Sequence, residues 1–487
     1  MIGNLLSRGV GMVLTPLYTG VLLTQELNYW ESLLLGANLL SMLAANSTTA
    51  AMMWTLKTGG AGGKGPLSGD DEQRVISGTV GWTVLMALVV CGGAALFAEP
   101  LSGAVLNTGG YALPLALLLL AQGLRVVTWP AEGVLKLRFQ SLPIVYMNFG
   151  EFAVQLVGSL VLLVGFDMRL HGLAWAAFAA TLLRFGLGLW FLPEMRRPRI
   201  DFSLVGGLLR YGVPLMPGAV AALVISLSDR LFFNAYGMAD AGGVYVYGDK
   251  FARLVEMVLI APLVAMWPAV YFNIARDADA DRQFGRIATL WLGLGGCFAF
   301  ALTMCGLPIA ALFDTSEGGD FTGGAATIGV LTAGYVLLGF VEIGRAGFSI
   351  TGRTKRTAAC MVMAALVNLG LNVVLIPRMG AMGAAWSTLA AYATALLLVH
   401  VLNAKVMPQR WQWGRLAGSG GLLVGAAWAI DAWAPAANDP AGMVLRAVAA
   451  VLAPFVLLAT GFLTADERKA GLATIGKLLA RVRGRSA

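Results

Sequence analysis

Charge is thin in this 487-residue chain: Asp, Glu, Lys and Arg together make up 12%. A soluble globular domain carries about 25%, so an ordinary soluble enzyme is excluded. Histidine is nearly absent. His171 in a turn and His400 near a helix end have no catalytic neighbour in sequence. The four cysteines, Cys91, Cys297, Cys305 and Cys360, stand inside apolar runs at unrelated spacings. They make neither a metal set nor a disulfide framework and read as packing residues. No loop is long enough for a folded soluble domain. The Gly-rich loop 57–74 lacks both the Gly-x4-Gly-Lys-Ser/Thr spacing and a preceding strand, so it reads as a flexible linker and not a phosphate-binding loop. No cofactor, metal site or catalytic group is expected. No cleavable leader is expected either, because the first apolar run starts almost at Met1 and continues into a full crossing.

What the chain has is hydrocarbon: 58% hydrophobic residues and 62 glycines, which let membrane helices approach closely. Runs of about 20 apolar residues match the thickness of a bilayer core. They predict an all-α integral membrane protein with fourteen spanning segments, at 5–24, 30–55, 75–98, 110–131, 142–166, 170–193, 208–236, 243–273, 286–312, 324–350, 357–377, 380–402, 415–433 and 442–464. The loops alternate in charge. One side holds 24 basic residues, within 57–74, 136–138, 196–210, 276–286, 353–356, 405–415 and the tail; the other holds only Arg169, Arg378 and Arg446. The positive-inside rule then places both termini in the cytoplasm. It also explains the net charge of +8 without a nucleic-acid partner.

An internal repeat divides the chain. Residues 157–180 and 370–391 resemble each other, with Gly172 and Trp175 aligning with Gly383 and Trp386 at an offset of 211. Six segments separate the copies, so both have the same orientation. The expected architecture is two six-helix lobes, 1–200 and 201–405, related by a pseudo-twofold axis along the membrane normal. Residues 406–487 add two helices and a basic cytoplasmic tail. Repeats of this kind place a substrate site between lobes that rock to give alternating access.

The stretch 211–254 carries Tyr211, Gly212, Pro214, Pro217, the Ser228-Asp229-Arg230 step, Gly243, Tyr245 and Lys250. It resembles helices 7 and 8 of the Wzx-like polysaccharide flippases, a branch of the multidrug/oligosaccharidyl-lipid/polysaccharide (MOP) exporter superfamily. Residues 371–392 are similar to the helix 11–12 turn of the same superfamily, through Asn372, Pro377, Gly380, Gly383, Ala384, Ala385, Thr388 and Tyr392. Relatives usually carry a longer basic segment before the first span than the roughly four residues here. The resemblance implies a flippase that moves undecaprenyl-pyrophosphate-linked oligosaccharide, the repeat unit of a surface polysaccharide, across the bacterial inner membrane. Its partners would be that lipid-linked substrate, membrane lipids and the polysaccharide polymerase or export machinery.

Seven bases lie inside the predicted spans: Arg8, Arg125, Arg184, Arg230, Lys250, Arg253 and Arg345. A charge at bilayer depth costs at least about 2.5 kcal/mol, so each needs a partner or a wet cavity. Asp229 and Arg230 on segment 7 share a depth with Asp249 and Lys250 on segment 8, which predicts an Asp229–Lys250 bond or an anion site. Asp249, Arg253 and Glu256 form one alternating stripe on segment 8. Arg253 is the first choice for phosphate, because its planar fork matches phosphate oxygens; Arg230, Lys250 and Arg8 complete the expected anion site. Arg125 with Glu151, and Glu342 with Arg345, read as ion pairs, and Asp229 or Glu151 as a carrier of a coupling proton or cation. Arg184 has no evident partner. Five deep acids against seven bases leave a surplus of two positive charges, the sign a pyrophosphate needs. The alternatives are a lipid II or multidrug/cation exporter of the same fold. A membrane enzyme of polysaccharide polymerisation, which needs a larger outer loop, ranks below them.

Overall fold

A computed structural model describes residues 18, 21–59, 65, 67–313, 322–351, 353–435, 439–460, 462 and 464. Its described residues form helices and turns: α1 (Thr24–Ala45), α2 (Thr48–Thr58), α3 (Asp70–Met86), α4 (Ala98–Leu106), α5 (Ala112–Leu137), α6 (Ser141–Ser159), α7 (Arg169–Phe191), α8 (Phe202–Gly212), α9 (Met216–Leu227), α10 (Asp229–Ala235), α11 (Ala239–Ala252), α12 (Ala261–Ile274), α13 (Ala280–Phe313), α14 (Ala325–Gly344), α15 (Thr354–Met379), α16 (Ala381–Ala404), α17 (Trp413–Trp433) and α18 (Pro440–Ala459). Thirteen of the fourteen predicted segments coincide with helical stretches. The first, 5–24, lies almost wholly outside the described residues, as do Arg8, Pro16 and the basic tail.

Among the described residues nine helices are long and apolar enough to cross a membrane, and the pair α8–α9, bent by 56°, makes a tenth. The segments that miss this measure are polar or interrupted. α1 and α2 are parted by Asn46 and Ser47, both in the left-handed region at φ 49° and 53°. α8 and α9 are parted by a tight turn at Val213–Leu215 that contains Pro214, and proline removes a helix hydrogen bond. α11 passes through a widened turn, Glu256–Ile260, before Pro262 opens α12. Backbone groups released by such breaks have no water to bind in hydrocarbon, so breaks belong in the protein interior. Two of these breaks touch: a Cβ on Gly212 would lie 2.5 Å from the Asn46 carbonyl oxygen. The surface facing outward is apolar in the same register. Val444, Val448, Val451 and Phe455 stripe the exposed face of α18 at 47–66% exposure, the apolar stripe of a helix suited to face lipid.

Contacts between turns sort the bundle into two ends. At one, Arg74 pairs with Asp201 at 2.6 Å, and Arg138 bonds both Glu72 and Glu194 at 2.9 Å. Arg410 pairs with Asp281 at 2.7 Å at this end. These are the basic loops of the charge alternation. Donors from Ser203 and Arg74 hold the exposed Asp201 carboxyl down at about 2. At the opposite end Arg169 reaches Glu26 at 3.0 Å, Asn234 donates to the Val105 carbonyl at 3.0 Å, and Thr24 bonds Asp240.

The repeated segments pack alike. Leu173, Ala174, Ala176 and Ala180 are no more than 1% exposed, and so are their counterparts Ala384, Ala385, Ser387 and Ala391. Trp175 and Trp386 face outward at 41% and 45%. Gly172 and Gly383 each lie against the end of the preceding helix, but not equally closely. An added Cβ would meet the Leu162 carbonyl oxygen at 3.0 Å in the first case and the Leu375 carbonyl oxygen at 2.3 Å in the second. Overpacking costs about 1–3 kcal/mol. Gly383→Ala is therefore expected to lower the thermal unfolding midpoint in detergent clearly more than Gly172→Ala. Equal midpoints for the two variants would contradict the packing difference.

Candidate functional site

The break at Ser228 starts α10 with Asp229 and Arg230 in its first turn, and α11 ends where the widened turn begins, next to Arg253. These two interruptions face each other and build a charge centre around Asp249, which is 2% exposed. Its Oδ2 accepts Arg230 Nη2 at 2.5 Å and Arg253 Nε at 2.8 Å, while its Oδ1 accepts the Tyr335 hydroxyl at 2.8 Å. Both guanidiniums also donate to the Ser226 carbonyl, at 2.8 and 2.7 Å. The rings of Tyr245 and Tyr335 lie under Arg230 and Arg253, at 5.4 and 5.8 Å. One carboxylate and one carbonyl thus hold two arginines, each backed by an aromatic ring. The arginines differ in access: Arg230 is 1% exposed, whereas the Arg253 side chain is 28% exposed and has Glu256 3.7 Å from its Nη1.

Asp229 sits beside this centre, fully buried, and accepts from neutral groups. Asn372 donates to Oδ1 at 2.5 Å, and Tyr245 to Oδ2 at 2.6 Å. Thr388 approaches Oδ2 at 3.4 Å, and Asn368 accepts from Asn372 at 3.3 Å and from Ser228 at 3.2 Å. A carboxylate held by neutral N–H and O–H donors, with no cation bonded to it among the described residues, is a place for a proton.

Lys250, next to Asp249 in sequence, points about 100° round α11 from it and crosses to α1, where its Nζ meets Glu31 at 2.6 Å. The ring of Tyr18 lies 5.9 Å from the same ammonium. Alongside, α1 also meets α10: Asn28 donates to Asn234 at 2.6 Å and Asn234 to Ser32 at 2.9 Å. Glycines allow the approach. A Cβ on Gly243 would lie 1.8 Å from the Thr24 carbonyl oxygen, and one on Gly242 2.5 Å from the Asn28 amide.

A second network lies in the first half. Arg184, 6% exposed, bonds Glu132, Glu151 at 2.6 Å and Asn148 at 2.8 Å. Glu151 also takes Arg125, and Lys136 stands 3.5 Å from Glu132. Near the basic-loop end Glu342 pairs with Arg345, and the Glu342 carbonyl accepts the Trp267 indole at 3.1 Å.

The Arg125–Glu151 and Glu342–Arg345 pairs form as expected, and Asp249, Arg253 and Glu256 share a stripe. Two expectations are corrected. Lys250 bonds Glu31 and not Asp229, because adjacent residues on a helix point about 100° apart. The surplus of positive charge also disappears. Seven described bases, Arg125, Lys136, Arg184, Arg230, Lys250, Arg253 and Arg345, meet seven acids: Glu31, Glu132, Glu151, Asp229, Asp249, Glu256 and Glu342. Arg8 lies outside the described residues. Glu31 and Glu132 were missed because they fall at the edges of predicted spans, whereas α1 begins at Thr24 and α5 runs to Leu137. The signal was helical phase: Glu132 is seven residues after Arg125, and Asn28, Glu31 and Ser32 share one face of α1.

No protein-family profile matches the chain, and no curated protein matches it by sequence. Solved structures do. The lipid II flippase MurJ, in an inward closed conformation, superposes with a TM-score of 0.71 at 13% identity, covering 94% of this chain and 97% of that one. A multidrug resistance MATE family transporter of the MOP superfamily, in an inward-facing conformation, gives 0.52 at 12% identity, covering 82% and 98%. The chain shares their fold.

The two arginines of the first-half network differ in burial, and their removal differs accordingly. Removing Arg184 takes the buried partner from Glu132, Glu151 and Asn148 at once, a loss of about 3–5 kcal/mol, whereas removing Arg125 leaves Glu151 still bonded to Arg184. Arg184→Ala is expected to lower unfolding stability severalfold more than Arg125→Ala, whose side chain is 40% exposed. Chemical denaturation in detergent checks the order, and equal losses would contradict it.

Proposed function

We propose that this protein is a flippase that carries lipid-linked oligosaccharide, of the undecaprenyl-pyrophosphate class, across the bacterial inner membrane by alternating access. The lobes are residues 1–200 and 201–405, with 406–487 as an appended pair of helices and tail. What carries the proposal is the charge centre at Asp249, buried within a fold that matches a lipid II flippase along nearly the whole of both chains. Arg253 is the group that meets the pyrophosphate. It is the partly exposed arginine of the centre, and its Nε and Nη2 are already anchored, so its fork arrives oriented. Arg230 stands behind it as the buried counter-charge that keeps Asp249 in place. Lys250 adds a second cation on the same helix, and Arg8 a further one. Asp229 is the coupling group, binding the proton or hard cation whose gradient drives the cycle. The chemistry is transport without covalent change, and polysaccharide polymerase or export machinery takes up the product.

Lipid II itself, or a cation, is the second reading. The matching of acids to bases among the described residues favours a cation more than the sequence did, because the surplus of positive charge that would repel one is gone.

In cells whose surface polysaccharide depends on this protein, Arg253→Ala is expected to abolish export while the protein still inserts, and Arg253→Lys to restore only part of it. Asp229→Asn is expected to stop transport without loss of insertion. Normal polysaccharide from Arg253→Ala would remove that residue from the site. Intact glycan with lost drug tolerance in cells lacking the protein would favour the cation exporter.

A further inference from the structure

The seam between α1 and the α10–α11 pair joins the two halves of the chain, and its bonds are polar. It is held by Asn28 to Asn234, Asn234 to Ser32, Thr24 to Asp240, and Glu31 to Lys250. Three of these join neutral groups or a neutral group to a carboxylate rim. The fourth is a full ion pair, with side chains only 14% and 15% exposed. It also lies beside the charge centre along the chain, because Lys250 follows Asp249 directly and Arg253 stands one turn further along.

We infer that Glu31 is a built-in occupant of the anion site. Its carboxylate holds Lys250 as a phosphate oxygen of the substrate would, and by doing so it ties α1 to α11. This rests on the flippase proposed above and extends it from binding to gating. A pyrophosphate arriving at Arg253 competes with Glu31 for Lys250. Two cations about one helical turn apart on one face suit a ligand with two linked phosphates better than a single carboxylate. Once Lys250 turns to the phosphate, the seam loses its ion pair and keeps only its hydrogen bonds and the glycine contacts of Gly242 and Gly243. The halves then part at this end, away from the basic loops. A ligand shifts a conformational equilibrium only by its differential affinity for the two states. Here the differential is explicit: the closed seam uses Lys250 for Glu31, and the open seam offers it to phosphate. An uncharged isoprenoid alcohol has no such preference and leaves the seam shut.

The test places spin labels on cysteines at Leu23 and Met238, on either side of the seam, after replacing Cys91, Cys297, Cys305 and Cys360, and reads their separation by pulsed electron resonance. With the parent protein in nanodiscs, a single short distance is expected. Geranylgeranyl pyrophosphate should add a longer population, and geranylgeraniol should not. Glu31→Gln should show the longer population without ligand, and pyrophosphate should add little to it. The swap Glu31→Lys with Lys250→Glu should restore the short distance, which separates loss of the latch from loss of fold. A Glu31→Gln distance identical to the parent overturns the latch. Binding of the pyrophosphate lipid, seen as a thermal shift of the parent, without any longer population also overturns it. No binding of that lipid at all instead overturns the flippase assignment and the ligand named here, while the Glu31→Gln distance still reports on the latch by itself.

Discussion

One carboxylate, Asp249, holds the interior of this protein together. In hydrocarbon an unmatched charge costs several kcal/mol, and Asp249 matches two arginines at once, with a tyrosine on its other oxygen. The arrangement needs acceptors that a regular helix does not offer. The carbonyl of Ser226, beside the interruption between α9 and α10, accepts from both guanidiniums. The broken helices are thus a condition of the charge centre: straight helices would use that carbonyl internally and leave the arginines underbonded. The same need for internal partners explains why Arg184 sits among two glutamates and an asparagine.

Access separates residues that the sequence treats alike. Arg230 and Arg253 have similar surroundings on paper, yet the first is sealed behind Asp249 and the second faces outward from it. A buried guanidinium with every neighbour fixed sets geometry. A partly exposed one with its stem anchored is available for recognition. The division of labour proposed for the centre follows from this difference in burial more than from any difference in chemistry.

The helical segments were legible because a bilayer imposes a length and a composition that a single sequence displays directly. Charge alternation in the loops was legible for a similar reason, and the loops grouped by it do touch, as Arg138 with Glu72 and Glu194 shows. Pairing was harder. Arg125 with Glu151 and Glu342 with Arg345 could be matched by depth or by local spacing. Lys250 could not, since depth left two acids in reach and helical phase chose Glu31, a residue placed at a membrane edge by a boundary drawn six residues too late. The motif residues Tyr245, Asn372 and Thr388 were seen as marks of resemblance. Their physical role appeared only when three separate helices brought them to Asp229.

The near cancellation of acids and bases in the interior has an electrical consequence. Moving one elementary charge through 100 mV is worth about 2.3 kcal/mol, so a transporter that drags unpaired arginines through the field works with or against the membrane potential at every turn. In this chain Arg184, Arg230 and Arg253 each sit against their counter-ions inside one network. Rocking of the proposed lobes around these paired groups therefore transfers little net charge. In the alternating-access cycle proposed above, the membrane voltage then acts mainly on the cargo and on the ion proposed for Asp229, with the scaffold close to voltage-neutral.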